Sequence, residues 1–161
     1  MTIVEYVLQQ ATRSPAELVA EDTDLIVLLV SKITPMHHQV TMKTKSATVD
    51  INQISNRLSP QDKLSLPFLH ALTGCDTTSR PFRIGKSTAL NKLPQLHEEA
   101  RVFRDCESSK DDVVKLGNVA LCKLYKIPLS SRLNVKQAAR FANKVSTRSE
   151  YLPPGKDYYN L

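Results

Sequence analysis

Long apolar runs are missing from this chain. The longest, Leu25 to Val30, is six residues, far short of the roughly 20 that a membrane-spanning helix requires. No stretch resembles a signal peptide. Cysteine is scarce: Cys75, Cys106 and Cys122 are odd in number and lack metal-type spacing. That sets aside a disulfide framework and leaves reduced thiols in an intracellular protein as the expectation, with no clear signal for the nucleus. Glycine is missing where one motif needs it. Gly85-Lys86-Ser87 has the ending of a nucleotide-binding loop, but the glycine required five positions earlier is Arg80, followed by Pro81, and Gly74 is too far upstream for the loop to close. No internal repeat appears.

What is present is a chain of 161 residues with 41% apolar content, enough to bury a core. Its formal charge of +6 is unevenly placed. Residues 1–70 carry 6 basic and 7 acidic side chains, net −1, and residues 71–161 carry 16 and 9, net +7. A basic second half suits a polyanion partner, although a solvated helical surface has the same composition.

Thr2 with Glu5 forms a capping box, and Ile3, Val4, Val7, Leu8 and Ala11 follow as an apolar helical stripe that Ser14-Pro15 ends. Leu18 to Ala20 reads as a short strand, while Leu25 to Val30 fits a buried helix or a strand equally well. Between them, Glu21, Asp22 and Asp24 fall within four residues at a strand end, the position where open α/β sheets bind ligands. Ile33 to His38 is a loop, and its adjacent histidines His37 and His38 are poorly placed to converge on one ion. Val40 and Met42 alternate with polar neighbours as a strand. Asp50 caps a helix with Ile51, Ile54 and Leu58 on its apolar face.

Ser59-Pro60-Gln61-Asp62 opens the next helix, for which Leu64, Phe68 and Leu72 are the expected buried face. Pro67 should kink it and Gly74 end it, which delivers Asp76 just beyond. His70, near that end, reads as a packed residue rather than a catalytic one. Nine residues after Asp76, the turn Gly85-Lys86-Ser87 opens an apolar-periodic segment with Ala89, Leu90 and Leu93. A helix start of this kind offers backbone N–H groups to an anion, and Lys86 adds a mobile positive charge. Gln95 to Cys106 and Asp111 to Lys126 carry helical spacing, the latter with Val113, Leu116, Ala120, Leu121 and Leu124 on one face. Asn134 caps a last expected helix on which Lys136, Arg140 and Lys144 form a basic stripe.

The order Glu21-Asp22-Thr23-Asp24, then His70-Ala71-Leu72-Thr73-Gly74-Cys75-Asp76-Thr77-Thr78-Ser79, then Ile84-Gly85-Lys86-Ser87-Thr88-Ala89-Leu90 resembles the central part of the flap-endonuclease-like nucleases. Within that family it is most similar to transposon-associated relatives with a "TGCDTTS" string. The likeness covers roughly residues 2–93 and extends only loosely to Leu152-Pro153-Pro154. It implies a PIN-like α/β fold with a parallel sheet and flanking helices, over residues 1–93, followed by a helical basic extension over 94–161. Relatives carry a first strand with its own aspartate and a Glu-Ala-Asp motif just before the segment matched by Thr2 to Ala11, so the PIN-like part is expected to be incomplete at the N-terminus.

The resemblance further implies that Asp22, Asp24 and Asp76 are catalytic metal ligands for Mg²⁺ or Mn²⁺, with Glu21 a weaker ligand. It implies that the unit around Arg83, Gly85, Lys86 and Ser87 grips the backbone of duplex or branched DNA. The family's Gly-x-Gly turn reads Arg83-Ile84-Gly85 here, which leaves its monovalent-cation site doubtful while adding a cationic side chain. The leading expectation is a metal-dependent, structure-specific nuclease-like domain acting on DNA phosphodiesters, in a truncated or inactive copy that does not cut DNA by itself. The alternative is a non-catalytic nucleic-acid-binding or protein-interaction remnant of a mobile element. Oligomeric state is not legible in the sequence.

Overall fold

By internal packing the chain divides into two units, Met1–Pro67 and Phe68–Leu161; residue 93, the boundary expected from the sequence, falls inside the second. The computed structural model describes residues 1–75, 81 and 84–126. The expected helix after Asn134 lies outside the described residues.

The first unit begins with helix α1, Ile3–Ala11. Glu5 N–H donates to the Thr2 hydroxyl at 3.2 Å and Thr2 N–H donates to the Glu5 carboxylate at 2.7 Å. This reciprocal cap satisfies two amides that a helix start otherwise leaves open, each cap being worth about 1 kcal/mol. Val4, Val7, Leu8 and Ala11 are buried. Pro15 separates α1 from strand β1, Ala16–Val19, which leads through helix α2, Thr23–Lys32, to strand β2, Val40–Lys43. β1 and β2 are parallel, with Ala16 opposite Val40 and Val19 opposite Lys43. A parallel pair needs a crossover of a dozen or more residues. That requirement resolves Leu25 to Val30 as helix.

The sheet is mixed, which corrects the expectation of a parallel sheet. Strand β3, Thr48–Asp50, returns antiparallel to β2, giving the order β1-β2-β3. The four residues Thr44 to Ala47 are too few for a crossover and close as a hairpin. Thr44 N–H donates to the Ala47 carbonyl at 2.8 Å, and the Thr44 hydroxyl accepts from Ala47 N–H at 2.9 Å. Alternation places Ala16, Leu18, Val40, Met42 and Val49 on one face. Against that face pack α1, α2 and helix α3, Ile51–Asn56. Each fully buried side chain in this layer, such as Leu29 or Met42, contributes about 1.5–3 kcal/mol. Glu17, Val19, Thr41, Lys43 and Thr48 lie on the opposite face, with Val19 73% exposed.

Asp50 caps α3 by accepting from Gln53 N–H at 2.9 Å, as its position suggests. Helix α4, Pro60–Leu72, starts behind Ser59, whose hydroxyl accepts from Asp62 N–H and donates to its carboxylate. The expected buried face of α4 is corrected at Leu64, which is 48% exposed; Phe68 is buried as expected, together with Ser65, Leu69 and, just past the helix, Thr73. The turn tolerates the two polar members because Ser65 donates to the Gln61 carbonyl and Thr73 to the Leu69 carbonyl, both at 2.8 Å. Pro67 lies inside α4, and Gly74 follows its end at φ 96°, a left-handed conformation that glycine adopts without strain.

In the second unit, helix α5 spans Lys86–Leu90, a 3-10 turn spans Leu93–Leu96, and helices α6 and α7 span His97–Arg104 and Lys110–Tyr125. Ala89 and Leu93 are buried as their spacing suggests, whereas Leu90 is exposed. Ser109 caps α7 by accepting from Asp112 N–H, and Ala120, Leu121, Cys122 and Leu124 are buried along it. The Phe68 and Phe103 rings meet at 5.2 Å with a 58° tilt, within the centroid range of favourable aromatic pairs. Among the described residues no helix is long and apolar enough to cross a membrane.

Candidate metal and nucleic-acid site

The acidic turn follows the carboxyl end of β1 and runs into the first turn of α2. Asp22 is the N-cap of α2, and its Oδ1 accepts from Asp24 N–H at 2.8 Å. Aspartate suits this position twice over, since it satisfies an open amide and places negative charge at the positive end of the helix. Glu21 Oε1 accepts from Lys45 N–H at 2.6 Å, reaching the tip of the β2-β3 hairpin. Asp24 is half-buried and is likewise engaged. Glu21 and Asp22 are exposed.

Asp76 lies outside the described residues, as does Arg83. Among the described residues, no three His, Cys, Asp or Glu side chains gather as a metal-binding group. The donor chemistry of the acidic turn is that of a hard cation, since only carboxylate oxygens are offered. Mg²⁺ is commonly held by one or two carboxylates plus phosphate oxygens and keeps several waters. Asp22 and Asp24 supply that number. Glu21 and Asp22 each hold a backbone amide through one oxygen, which leaves the other oxygen of each for an ion.

Gly85 is the N-cap of α5 at φ −83°, without a side-chain hydrogen bond to the first turn. Lys86 and Ser87 are exposed, and buried Ile84 and Ala89 anchor the turn on either side. α5 has five residues. An anion here would therefore be held by individual N–H groups and the Lys86 ammonium rather than by a developed helix dipole.

His37 and His38 lie in the loop between α2 and β2. His37 Nδ1 accepts from Thr34 N–H at 3.0 Å within the loop, and His38 N–H donates to the Ala11 carbonyl at 2.7 Å. No disulfide joins the three cysteines. Burial pushes the Cys122 thiol and the Tyr125 phenol up from their ordinary values, which makes Cys122 a poor nucleophile.

One charged cluster carries no motif in the sequence. Glu99 of α6 is 3% exposed, and its Oε1 accepts from Lys123 Nζ at 2.6 Å while its Oε2 is buried without a partner. Lys123 Nζ also donates to the Gln95 carbonyl at 2.7 Å, and Lys92 Nζ donates to the Lys123 carbonyl at 2.8 Å. The available signal is placement: Glu99 stands between Leu96 and Ala100 on the inward face of its segment. Comparison with protein-family models, curated proteins and solved structures returned no match.

Proposed function

We propose that this chain is a nuclease-like domain of the flap-endonuclease-like type that engages DNA phosphodiesters, with Mg²⁺ or Mn²⁺ held by Asp22, Asp24 and Asp76. The observation that supports this most is the acidic turn itself: Asp22 and Asp24 stand where a parallel strand hands over to the crossover helix, the ligand-binding end of an open α/β sheet. A divalent ion supplies activation of a water and stabilisation of a leaving oxygen when bound. The protein's own part is to hold two carboxylates at a capped helix start, so that their position is fixed before a phosphate arrives. Lys86, Ser87 and the Gly85 turn, with Arg83, hold the backbone of a duplex or branched DNA. The monovalent cation is not part of the proposal.

A second reading, DNA binding without cleavage, is favoured by the hydrogen bonds at the acidic turn. Glu21 and Asp22 already each hold a backbone amide, which leaves fewer open carboxylate oxygens for the two ions that a two-metal site holds. One experiment separates the readings: the 161-residue chain is titrated onto flap and nicked duplexes over a salt series and incubated with Mn²⁺. Binding that weakens steeply with salt, with Lys86→Ala lowering the salt slope by about one charge, is expected. Cleavage that disappears in Asp76→Asn establishes the catalytic reading, and salt-dependent binding without cleavage the second. Equal affinity of wild type and Lys86→Ala at every salt concentration removes the phosphate contact from this turn.

A further inference from the structure

Among the described residues β1 is an edge strand with an open side. Ala16 N–H donates to the Gln39 carbonyl at 2.9 Å and Ala20 N–H to the Lys43 carbonyl at 3.1 Å, so the even-numbered peptide groups of the strand face β2. Those of Glu17 and Val19 face the other way, and among the described residues no strand pairs with them. Natural sheets blunt such edges with proline, lysine, bulges or a covering element. Here Pro15 stops just short of the strand, Glu17 is the single charge on it, and Val19 is 73% exposed. The opposite edge is treated differently: β3 is three residues long and passes directly into α3.

We propose that the free edge of β1 pairs antiparallel with β1 of a second copy of this chain, across a twofold axis at Leu18, so that two three-stranded sheets join into one. The charges select this occupant. With Leu18 on the axis, Glu17 lies opposite Val19 of the second copy, and no like charges face each other. Across the joined sheet the row then reads Lys43, Val19, Glu17 of the second copy, Thr41 of the second copy, because Val19 is paired with Lys43 and Glu17 with Thr41 within each chain. Lys43 and the opposing Glu17 flank the exposed Val19 from two strands apart, about 10 Å between backbones, a span their two long side chains close over the valine. The axis repeats that contact. The flanks are complementary in sign as well: Arg13, before the strand, falls near the opposing turn that holds Glu21 and Asp22. A twofold pairing also uses up both open edges and so ends in a dimer rather than a fibre. Four residues of ladder make a small interface, so association is expected at a Kd on the order of 10 µM.

Sedimentation equilibrium of the full chain from about 1 to about 500 µM brackets that value. A monomer–dimer equilibrium is expected for the wild type. Val19→Pro removes an N–H that bonds nothing among the described residues, so it should weaken association at least about 10-fold while leaving the circular dichroism spectrum intact. Glu17→Lys and Lys43→Glu should each weaken the dimer several-fold, and the double exchange should restore it, which decides the matter even if Val19→Pro fails to fold. A chain that stays monomeric throughout overturns the proposal. So does a dimer indifferent to Val19→Pro and to the charge exchange, or a species that grows beyond a dimer with concentration.

Discussion

The two units solve the problem of charge in opposite ways. In Met1–Pro67 the acids are spent on backbone amides at the surface: Glu5, Asp22 and Asp50 each serve a helix start, and Glu21 serves the hairpin tip. In the second unit a glutamate is taken inside, and two lysines converge on it and on the carbonyls around it. A surface acid that caps a helix contributes about 1 kcal/mol and tolerates a neutral substitute. A buried one ties its element to a partner, and losing either member alone leaves an uncompensated charge inside. The first arrangement leaves carboxylates accessible to solutes, and the second withdraws one from solvent altogether.

The largest expected effect tests that contrast inside the second unit. Lys123→Ala leaves the Glu99 carboxylate buried without its cation and should cost about 2–4 kcal/mol in urea denaturation, somewhat below the full value for a buried pair because a third of the lysine side chain still meets water. Glu99→Leu combined with Lys123→Leu should recover most of that loss, since it is the orphaned charge that is costly. If Lys123→Ala melts like the wild type, the pair is no tie.

A smaller effect separates two roles of one residue in the first unit. Asp22→Ala should cost about 1 kcal/mol, while Asp22→Asn, which keeps an acceptor at the N-cap, should be nearly neutral in stability. Both should abolish any Mn²⁺-dependent protection of α2 amides from hydrogen exchange. Retention of that protection in Asp22→Asn would leave Asp22 a cap and nothing more.

The smallest effect is on pH, and its sign differs between the units. Burial raises the Cys122 thiol and the Tyr125 phenol. A raised acid group gives stability that is complete below its unfolded value, near 8.5 for a thiol and 10 for a phenol, and lost as the pH climbs through the folded value. Glu5 is shifted the other way, chiefly by the hydrogen bond from Thr2 N–H. Its contribution is present above about pH 4.3 and lost as the pH falls through its lowered value. Hydrogen exchange followed across pH should therefore show α7 loosening first in alkali and α1 fraying first in acid. A common pH profile for both helices would contradict the assignment.

Much of the helical framework was legible because caps are short-range chemistry. Thr2 with Glu5, Asp50 with Gln53 N–H, and Ser59 with Asp62 all sit three residues from their partners, so the sequence displays both halves of each bond. Strand β3 was not legible, since three residues with one apolar member, Val49, carry too little alternation to register. The parallel sheet was overextended for the same reason: the direction of β3 depends on the four-residue hairpin before it. Leu64 misled because a stripe through 64, 68 and 72 and one through 65, 68, 69 and 73 share Phe68, and only packing chooses between them. At the acidic turn the sequence placed Glu21, Asp22 and Asp24 correctly at a strand end. It did not reveal that two of them hold amides, because an N-cap aspartate and a metal-ligand aspartate look identical in one dimension.

The bond from Lys45 N–H to Glu21 has a consequence for sheet alignment. Sliding one strand past its neighbour by a single residue turns every inward side chain outward, and a strand of four residues has few pairs with which to resist. Glu21 and Lys45 lie two positions past the last residue of each parallel strand, where Val19 pairs with Lys43. A slip by one residue would move the amide about 3.3 Å from the carboxylate, beyond hydrogen-bonding reach. The same carboxylate that borders the candidate site thus checks the alignment of the strands beneath it.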